Sequence, residues 1–147
     1  MKDWFNSLDA KTKGVVVIIT IILVIYIIST AKSYMKAFFS RADAAGEKAA
    51  LAAQGMKATY SKSQYNTFAD QLEAAMRGWG TDEETIWMVL RKIKNDIDFI
   101  NLDQAYGLRE SDGRMWDLAT WMRGDLSTNE IKKANSILSN NGVTKQF

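Results

Sequence analysis

The sequence contains no cysteine, no histidine and no proline among its 147 residues. Without cysteine the chain forms no disulfide and has no thiol nucleophile. Without histidine it lacks the side chain that most often serves as a general base or a metal ligand near neutral pH. Proline breaks helices, so its absence is typical of a chain that is nearly all helical.

The net charge is small, and catalytic motifs are sparse. The formal net charge is only +2, which gives no reason to expect a nucleic-acid partner. Paired carboxylates for glycan cleavage could be drawn from Glu73, Glu83, Glu84 and Glu110. However, Glu83 and Glu84 lie where a helix is predicted to begin, and no second motif surrounds Glu73. We therefore predict no catalytic residues, and we expect that the protein is not an enzyme.

One segment is long and strongly apolar. Residues 15–28 carry no charge, and small polar residues extend the run to Ala31. A membrane-spanning helix needs about 17 to 25 such residues, and flanking lysines can reach the interface. We predict a transmembrane helix over residues 14–31. The β-branched composition leaves a buried strand as one alternative, and a signal peptide cleaved near Ala31 is another; we expect an uncleaved anchor.

The residues around this segment predict its interfaces and orientation. Residues 1–13 predict a short amphipathic segment that places Trp4 at headgroup depth, and a frayed terminus is the open alternative. Tyr34, Phe38 and Phe39 form an aromatic belt after the span. Basic residues are slightly more numerous behind the span than before it, which favours a C-terminal domain on the cytoplasmic or inner side.

The rest of the chain predicts an all-α architecture. Residues 32–62 are rich in alanine and read as a helical stalk and linker, with Gly55 ending the helix. Residues 63–140 show apolar residues at helical spacing and predict a small domain of five helices, followed by a tail over 141–147. Whether the stalk is one continuous helix is left open by the sequence.

Local signals set the expected helix boundaries in this domain. The expected starts are a cap at Ser63, a cap at Asn95 or Asp96 and a capping box from Ser127 to Glu130. Gly107 is expected to end the third helix, with a loop over 108–112 and a fourth helix over 113–123 that stops at Gly124. Three tryptophans fall within helical patterns and are expected in or near the core: Trp87, Trp116 and Trp121.

The most informative stretch is Gly78–Glu83, with the sequence GWGTDE. Its two glycines allow a tight turn, and Thr81 can cap the next helix with Glu84 completing a capping box. Acidic residues in that first turn suit the positive end of the helix dipole. On these grounds alone the stretch predicts a turn between two helices, and a structural turn without chemistry is an open alternative. Trp79, between the two glycines, is expected to be exposed and to contact a membrane or a partner; packing over the domain's own core is the alternative.

The run from Ala69 to Ile93 resembles the first half of an annexin repeat, above all at AMRGWGTDE, residues 75–83. Residues 106–127 resemble the second half more loosely, so that about half of the chain and a single repeat are covered. The resemblance implies a five-helix domain. It also implies that the backbone carbonyls of Met76, Gly78 and Gly80 face calcium, which bridges to lipid phosphates. The acidic ligand that closes such a site falls at Trp121, which cannot ligate.

Two interpretations of function follow. In the first, the domain docks on protein partners in a large membrane-associated assembly, for example a lipid-containing virus particle, with no cofactor. A domain of about 80 residues has a marginal core, so supporting neighbours, including further copies of the chain, are expected. In the second, the protein is a tethered module that binds phospholipid through calcium. The nearest acids for that role are Asp117 and Asp125, and neither lies where the resemblance requires one.

Overall fold

The computed structural model describes residues 8–147, without the side chains of Thr30, Ser33, Tyr34 and residues 36–41. The predicted interfacial residue Trp4 lies outside the described residues, and so do the side chains of Tyr34, Phe38 and Phe39. The described chain is mostly helical, and it divides into two compact units with the boundary between Phe38 and Phe39.

The first helix among the described residues, α1, runs without interruption from Ala10 to Ala53. Its segment Ala10–Ser29 has 20 residues with a mean hydropathy of 2.5, and none of it is buried. This segment is long and apolar enough to cross a membrane, as the sequence predicted, and the alternative of a strand is wrong. The helix continues through Gly46 and ends before Gly55, whose positive φ of 88° turns the chain away.

Five further helices and one β-hairpin follow within the part of the chain that the structure describes. In order they are α2 (Lys62–Met76), α3 (Glu83–Leu90), α4 (Asp96–Tyr106), β1 (Arg109–Ser111), β2 (Arg114–Trp116), α5 (Leu118–Asp125) and α6 (Thr128–Asn140). The helices α3 and α4 both pack on α2, and α6 packs on α3. The core contains the fully buried side chains of Leu72, Trp87, Leu90, Leu118 and Met122.

Two of the predicted caps are wrong by one or two residues. The cap of α2 is Ser61 rather than Ser63, because Ser61 forms a reciprocal capping box with Gln64. The cap of α3 is Asp82 rather than Thr81, because the Asp82 carboxylate accepts the backbone N–H of Thr85 at 3.1 Å and its hydroxyl at 2.8 Å. A carboxylate that receives two donors holds the helix start more firmly than a single hydroxyl.

The other predicted boundaries of the second half are mostly correct. Asn95 caps α4, Gly107 follows its last residue, and Ser127 forms the expected capping box with Glu130. The predicted end at Gly124 is wrong, because α5 continues through this glycine to Asp125.

The loop over 108–112 and the helix start at Gly113 were also predicted wrongly. Strands β1 and β2 pair antiparallel there, with Ser111 opposite Arg114. The two residues between them, Asp112 and Gly113, have φ of 52° and 73°, as in the type I′ turn that Asp-Gly favours in two-residue hairpins. Helix α5 therefore begins only at Leu118, where Asp117 accepts the N–H of Thr120 at 2.7 Å.

A cluster of charges fixes the hairpin on α2. Arg109, whose side chain is only 16% exposed, pairs with Glu73 and with Asp70, the latter at 2.9 Å. Glu73 also pairs with Arg77, and the Arg77 guanidinium donates to the backbone carbonyl of Glu110 at 3.2 Å. The hairpin is thus held by side chains from one face of α2, and its position relative to the end of that helix is well defined.

A second set of contacts joins residues that are distant in sequence through one buried carboxylate. Asp98 is completely buried and accepts the Tyr65 hydroxyl at 2.5 Å. It also accepts the backbone N–H groups of Thr59 at 2.7 Å and Lys94 at 3.0 Å. Burial and this hydrogen bond raise the pKa of Tyr65 to about 12, so that its hydroxyl remains a donor.

The segment 141–147, predicted as a tail, packs on the domain. Val143 is buried, and Thr144 donates both its N–H and its hydroxyl to Asp96 at 2.7 Å. Phe147 lies against Phe99 with a ring separation of 5.5 Å. These contacts extend the small core beyond α6.

Asp103 on α4 provides a test of the electrostatics of this unit. Burial raises the pKa of its carboxyl, and repulsion from Asp117 adds to the shift, while Lys145 opposes it. An acid with a raised native pKa leaves stability unaffected when both states are protonated. It begins to lower stability as the pH rises through the unfolded pKa, and the loss is complete above the native pKa. We expect Asp103→Asn to raise the free energy of unfolding at pH 7 and to leave it unchanged near pH 3.

Urea unfolding of the full chain in neutral detergent micelles, followed by tryptophan fluorescence, measures this difference. Asp43→Asn, at an exposed aspartate, is the matched control and is expected to change stability less at pH 7. A loss of stability in Asp103→Asn at pH 7 would contradict the conclusion that the ionised Asp103 carboxylate destabilises the native state.

Candidate functional site

The glycine turn, residues 77–82, joins α2 to α3. Arg77 is extended, with φ of −87° and ψ of 125°, and Gly78 and Gly80 have φ of 108° and 81°. The N–H of Asp82 donates to the carbonyl of Ala75 at 2.9 Å and closes the turn on the end of α2. Non-glycine residues rarely adopt such positive φ values, so the sequence fixes this loop shape through its two glycines.

A cavity of about 740 Å³ lies beside the turn, and we name it the Trp79 cavity. Its walls come from the glycine turn, the β1–β2 hairpin and the end of α5. The residues that line it are Met76, Arg77, Gly78, Trp79, Gly80, Glu110, Ser111, Asp112, Trp116, Trp121, Gly124 and Asp125. The structure thus brings the predicted residues Met76, Gly78, Trp79 and Gly80 together with the end of α5. The hairpin residues of the cavity were not predicted, although the Asp-Gly pair was a visible signal for them.

Trp79 is the most exposed large apolar side chain of the described residues, with a relative exposure of 107%. The two neighbouring glycines provide no side chains to cover its indole. The exposure that the sequence predicted is therefore present, while contact with a membrane or a partner stays a prediction.

Trp121, where the annexin resemblance implies an acidic ligand, is part of the hydrophobic core. It is 5% exposed, and its ring meets that of Tyr106 edge-on at 6.1 Å, with the Arg77 guanidinium 5.8 Å from its centre. Its indole N–H donates to the Asp125 carboxylate at 3.1 Å. Trp121 therefore orients the acid that lies closest to it in the cavity. Trp87 is buried as expected, and Trp116 is half-buried, on β2 instead of the predicted helix.

The acidic side chains of the cavity are partly engaged already. Burial raises the pKa of the Asp125 carboxyl, and the hydrogen bond from Trp121 opposes this shift. Glu110 accepts the N–H of Gly113 at 2.7 Å, inside the hairpin. Asp117, the other acid considered from the sequence, caps α5 and does not line the cavity.

A metal ion would find few charged ligands here. Over residues 8–147, as far as the side chains are described, no group of three or more acidic side chains is arranged to hold a metal. An ion in the cavity would rely on the backbone carbonyls of Met76, Gly78 and Gly80, together with Asp125. Calcium normally takes six to eight oxygen ligands that include several carboxylates, so this set is weak.

Comparison with known proteins adds no identification. The chain matches no protein-family model, no curated protein and no solved structure significantly. The class that the structure defines is a mostly helical chain with one N-terminal helix able to cross a membrane. The resemblance of residues 75–83 to an annexin repeat therefore stays a prediction that depends on the motif itself.

The turn yields a test of its backbone geometry. Gly78→Ala is expected to lower the free energy of unfolding by about 1 to 2 kcal/mol, because alanine is strained at a φ of 108° although no atom lies within 4 Å of the added methyl group. Gly124→Ala is the matched control. This glycine lies inside α5 with similar open space, and alanine there is expected to add up to about 1 kcal/mol.

Urea unfolding in micelles measures both variants. Equal effects of the two substitutions would show that the turn tolerates a side chain and that its two glycines are not needed for its shape.

Proposed function

We propose that the protein is a non-enzymatic, single-pass membrane protein whose C-terminal unit docks on a protein partner through Trp79 and the adjacent cavity. The apolar helix segment Ala10–Ser29 anchors the chain in a bilayer, with the C-terminal unit on the cytoplasmic or inner side. Trp79 carries the proposal. A fully exposed tryptophan is costly to keep in water and is among the residues that contribute most to protein interfaces.

The side chains of the Trp79 cavity suit the docking of a protein partner better than they suit catalysis. Trp79 supplies an apolar anchor, and the carboxylates of Glu110, Asp112 and Asp125 line the neighbouring wall. A partner that presents an apolar side chain beside a lysine or arginine would complement both features. We infer that the partner belongs to a larger membrane-associated assembly, such as a lipid-containing virus particle, in which neighbouring copies of this chain can also take part.

The likeness of residues 75–83 to an annexin repeat supports this role as a retained scaffold. The glycine turn has a defined shape, while position 121 carries a buried tryptophan where the repeat has its acidic ligand. A C-terminal unit of this kind keeps the glycine turn and exposes Trp79 on it without needing a bound ion. We propose no cofactor, no catalytic residue and no nucleic-acid partner for it.

One observation favours a second candidate, a calcium-dependent module that binds phospholipid. Asp125 lines the same cavity as Met76, Gly78 and Gly80 and supplies one carboxylate beside their backbone. Calcium held by these oxygens would bridge to a lipid phosphate, with Trp79 inserted in the interface. The shortage of acidic ligands makes this the weaker candidate.

A photo-crosslinking amino acid at position 79 tests the docking role in the native membrane. We expect it to yield a discrete crosslinked protein that mass spectrometry identifies as the same species in replicate preparations. The same group at Met88, another exposed apolar position of this unit, is the control and should not capture that protein. Crosslinks to lipid alone at position 79 would contradict a protein partner.

A second measurement separates the calcium candidate. The full chain in neutral nanodiscs is mixed with anionic liposomes and with calcium, separately and together, and tryptophan fluorescence is recorded. We expect no blue shift that requires both additions. A shift that needs both, and that disappears in Trp79→Ala and in Asp125→Asn, would replace the docking proposal with the calcium-dependent one.

A further inference from the structure

A second cavity, of about 630 Å³, lies in the C-terminal unit, and we name it the Lys48 cavity. Helix α1, the linker after it, the first turns of α2 and the second half of α4 form its walls. The lining residues are Lys48, Ala58, Tyr60, Lys62, Tyr65, Asn66, Asn101, Gln104 and Ala105. It contains two cationic side chains, three carboxamides and two tyrosines, with no aspartate or glutamate among its lining residues. Its volume is that of a small-molecule site.

Lys48 is half-buried and lacks a carboxylate partner. Its ammonium group donates to the side-chain oxygen of Asn101 at 2.5 Å. Within the described part of the chain, no acidic side chain lies within ion-pair distance of it. An ammonium has three donors, and a partly desolvated cation is costly without a compensating anion. Lys48 therefore retains donor capacity and unbalanced charge at the cavity wall.

Lys62 adds a second unbalanced cation. It is the first residue of α2, where the helix dipole disfavours positive charge. Here too the described residues provide no carboxylate within ion-pair distance. An anion in the cavity would balance the charge of both lysines and relieve the conflict of Lys62 with the dipole, and it would gain from the same helix end.

The buried acid Asp98, close to this region, already has several hydrogen-bond donors. Asp98 lies behind Tyr65 and accepts donors from Tyr65, Thr59 and Lys94 on its two oxygens. It does not line the cavity. Its carboxylate stabilises the residues behind the cavity wall and does not face a ligand. The surface that a ligand would contact consists of ammonium, carboxamide and phenol groups.

We propose that the Lys48 cavity binds a phosphate-bearing ligand. The phosphoryl oxygens accept hydrogen bonds from Lys48 and Lys62. The carboxamides of Asn66 and Gln104 contact the ester-linked polar group, and the ring of Tyr60 with Ala105 covers its carbon skeleton. A soluble phosphate monoester and a phospholipid headgroup share this chemistry. The site lies apart from the Trp79 cavity, since the two share no lining residue.

The test titrates glycerol 3-phosphate into the full chain in neutral detergent micelles and follows the side-chain amide signals of Asn66, Asn101 and Gln104 by NMR. We expect saturable shifts. Lys48→Gln should weaken binding by at least about tenfold, since one charge-assisted hydrogen bond is lost. Lys62→Gln should weaken it by a smaller factor, and because Lys62 is exposed this variant is not expected to disturb the core.

Lys132→Gln, at an exposed lysine outside the cavity, is the matched control and should bind like the wild type. A lipid arm replaces glycerol 3-phosphate with phosphatidylglycerol in mixed micelles. The same shifts in that arm alone identify a headgroup as the ligand, and shifts with glycerol 3-phosphate alone identify a soluble phosphate. Absence of shifts in both arms, or binding that is equal in the wild type and both cavity variants, would overturn the proposal.

Discussion

The C-terminal unit depends on the carboxylate of Asp98. A completely buried carboxylate is costly unless donors surround it, and here the linker, α2 and the turn before α4 each provide one. Thr59 and Tyr65 lie 39 and 33 residues before Asp98 along the chain, so this one group joins the linker and α2 to the start of α4. The T-shaped packing of Tyr60, Tyr65 and Phe68 then fills the apolar space beside it.

Charged side chains nearer the surface position the elements around the Trp79 cavity in a similar way. Arg109 binds the face of α2 and brings the hairpin with it, and Arg77 links that face to the hairpin backbone. The cavity therefore forms between elements whose separation is fixed by ion pairs on a small core. This arrangement positions acidic side chains next to an exposed indole without placing them close enough together to act as a metal cluster.

The sequence predicted the parts of this structure that depend on local interactions. Helical periodicity, the Ser127–Glu130 capping box and the apolar run of α1 are local signals, and the structure agrees with each. The hairpin was missed because the residues around Trp116 also fit a helical pattern, and the Asp112–Gly113 pair, whose positive φ values interrupt any helix, was not considered as a turn. The cap at Asp82 was missed because Thr81 and Asp82 are both good caps, and only the turn closed on Ala75 decides between them.

The two cavities illustrate the limit of sequence reasoning. Lys48, Lys62 and Gln104 are ordinary surface residues in the sequence, and only the packing of α1, α2 and α4 brings them to one wall. Asp125 was considered from the sequence, but its bond to Trp121 was not, because it depends on the geometry of one helical turn. Contacts of this kind require the tertiary structure.

The glycines on both sides of Trp79 have a wider consequence. The space around these glycines is open, and the indole does not shape the turn. The turn is shaped by its backbone conformation and by the hydrogen bond from the Asp82 N–H to the Ala75 carbonyl. The proposed docking role of Trp79 and the folding of the turn therefore depend on different atoms of the same loop. Over evolutionary time, position 79 can therefore change identity without requiring any compensating change in the helices that support the turn.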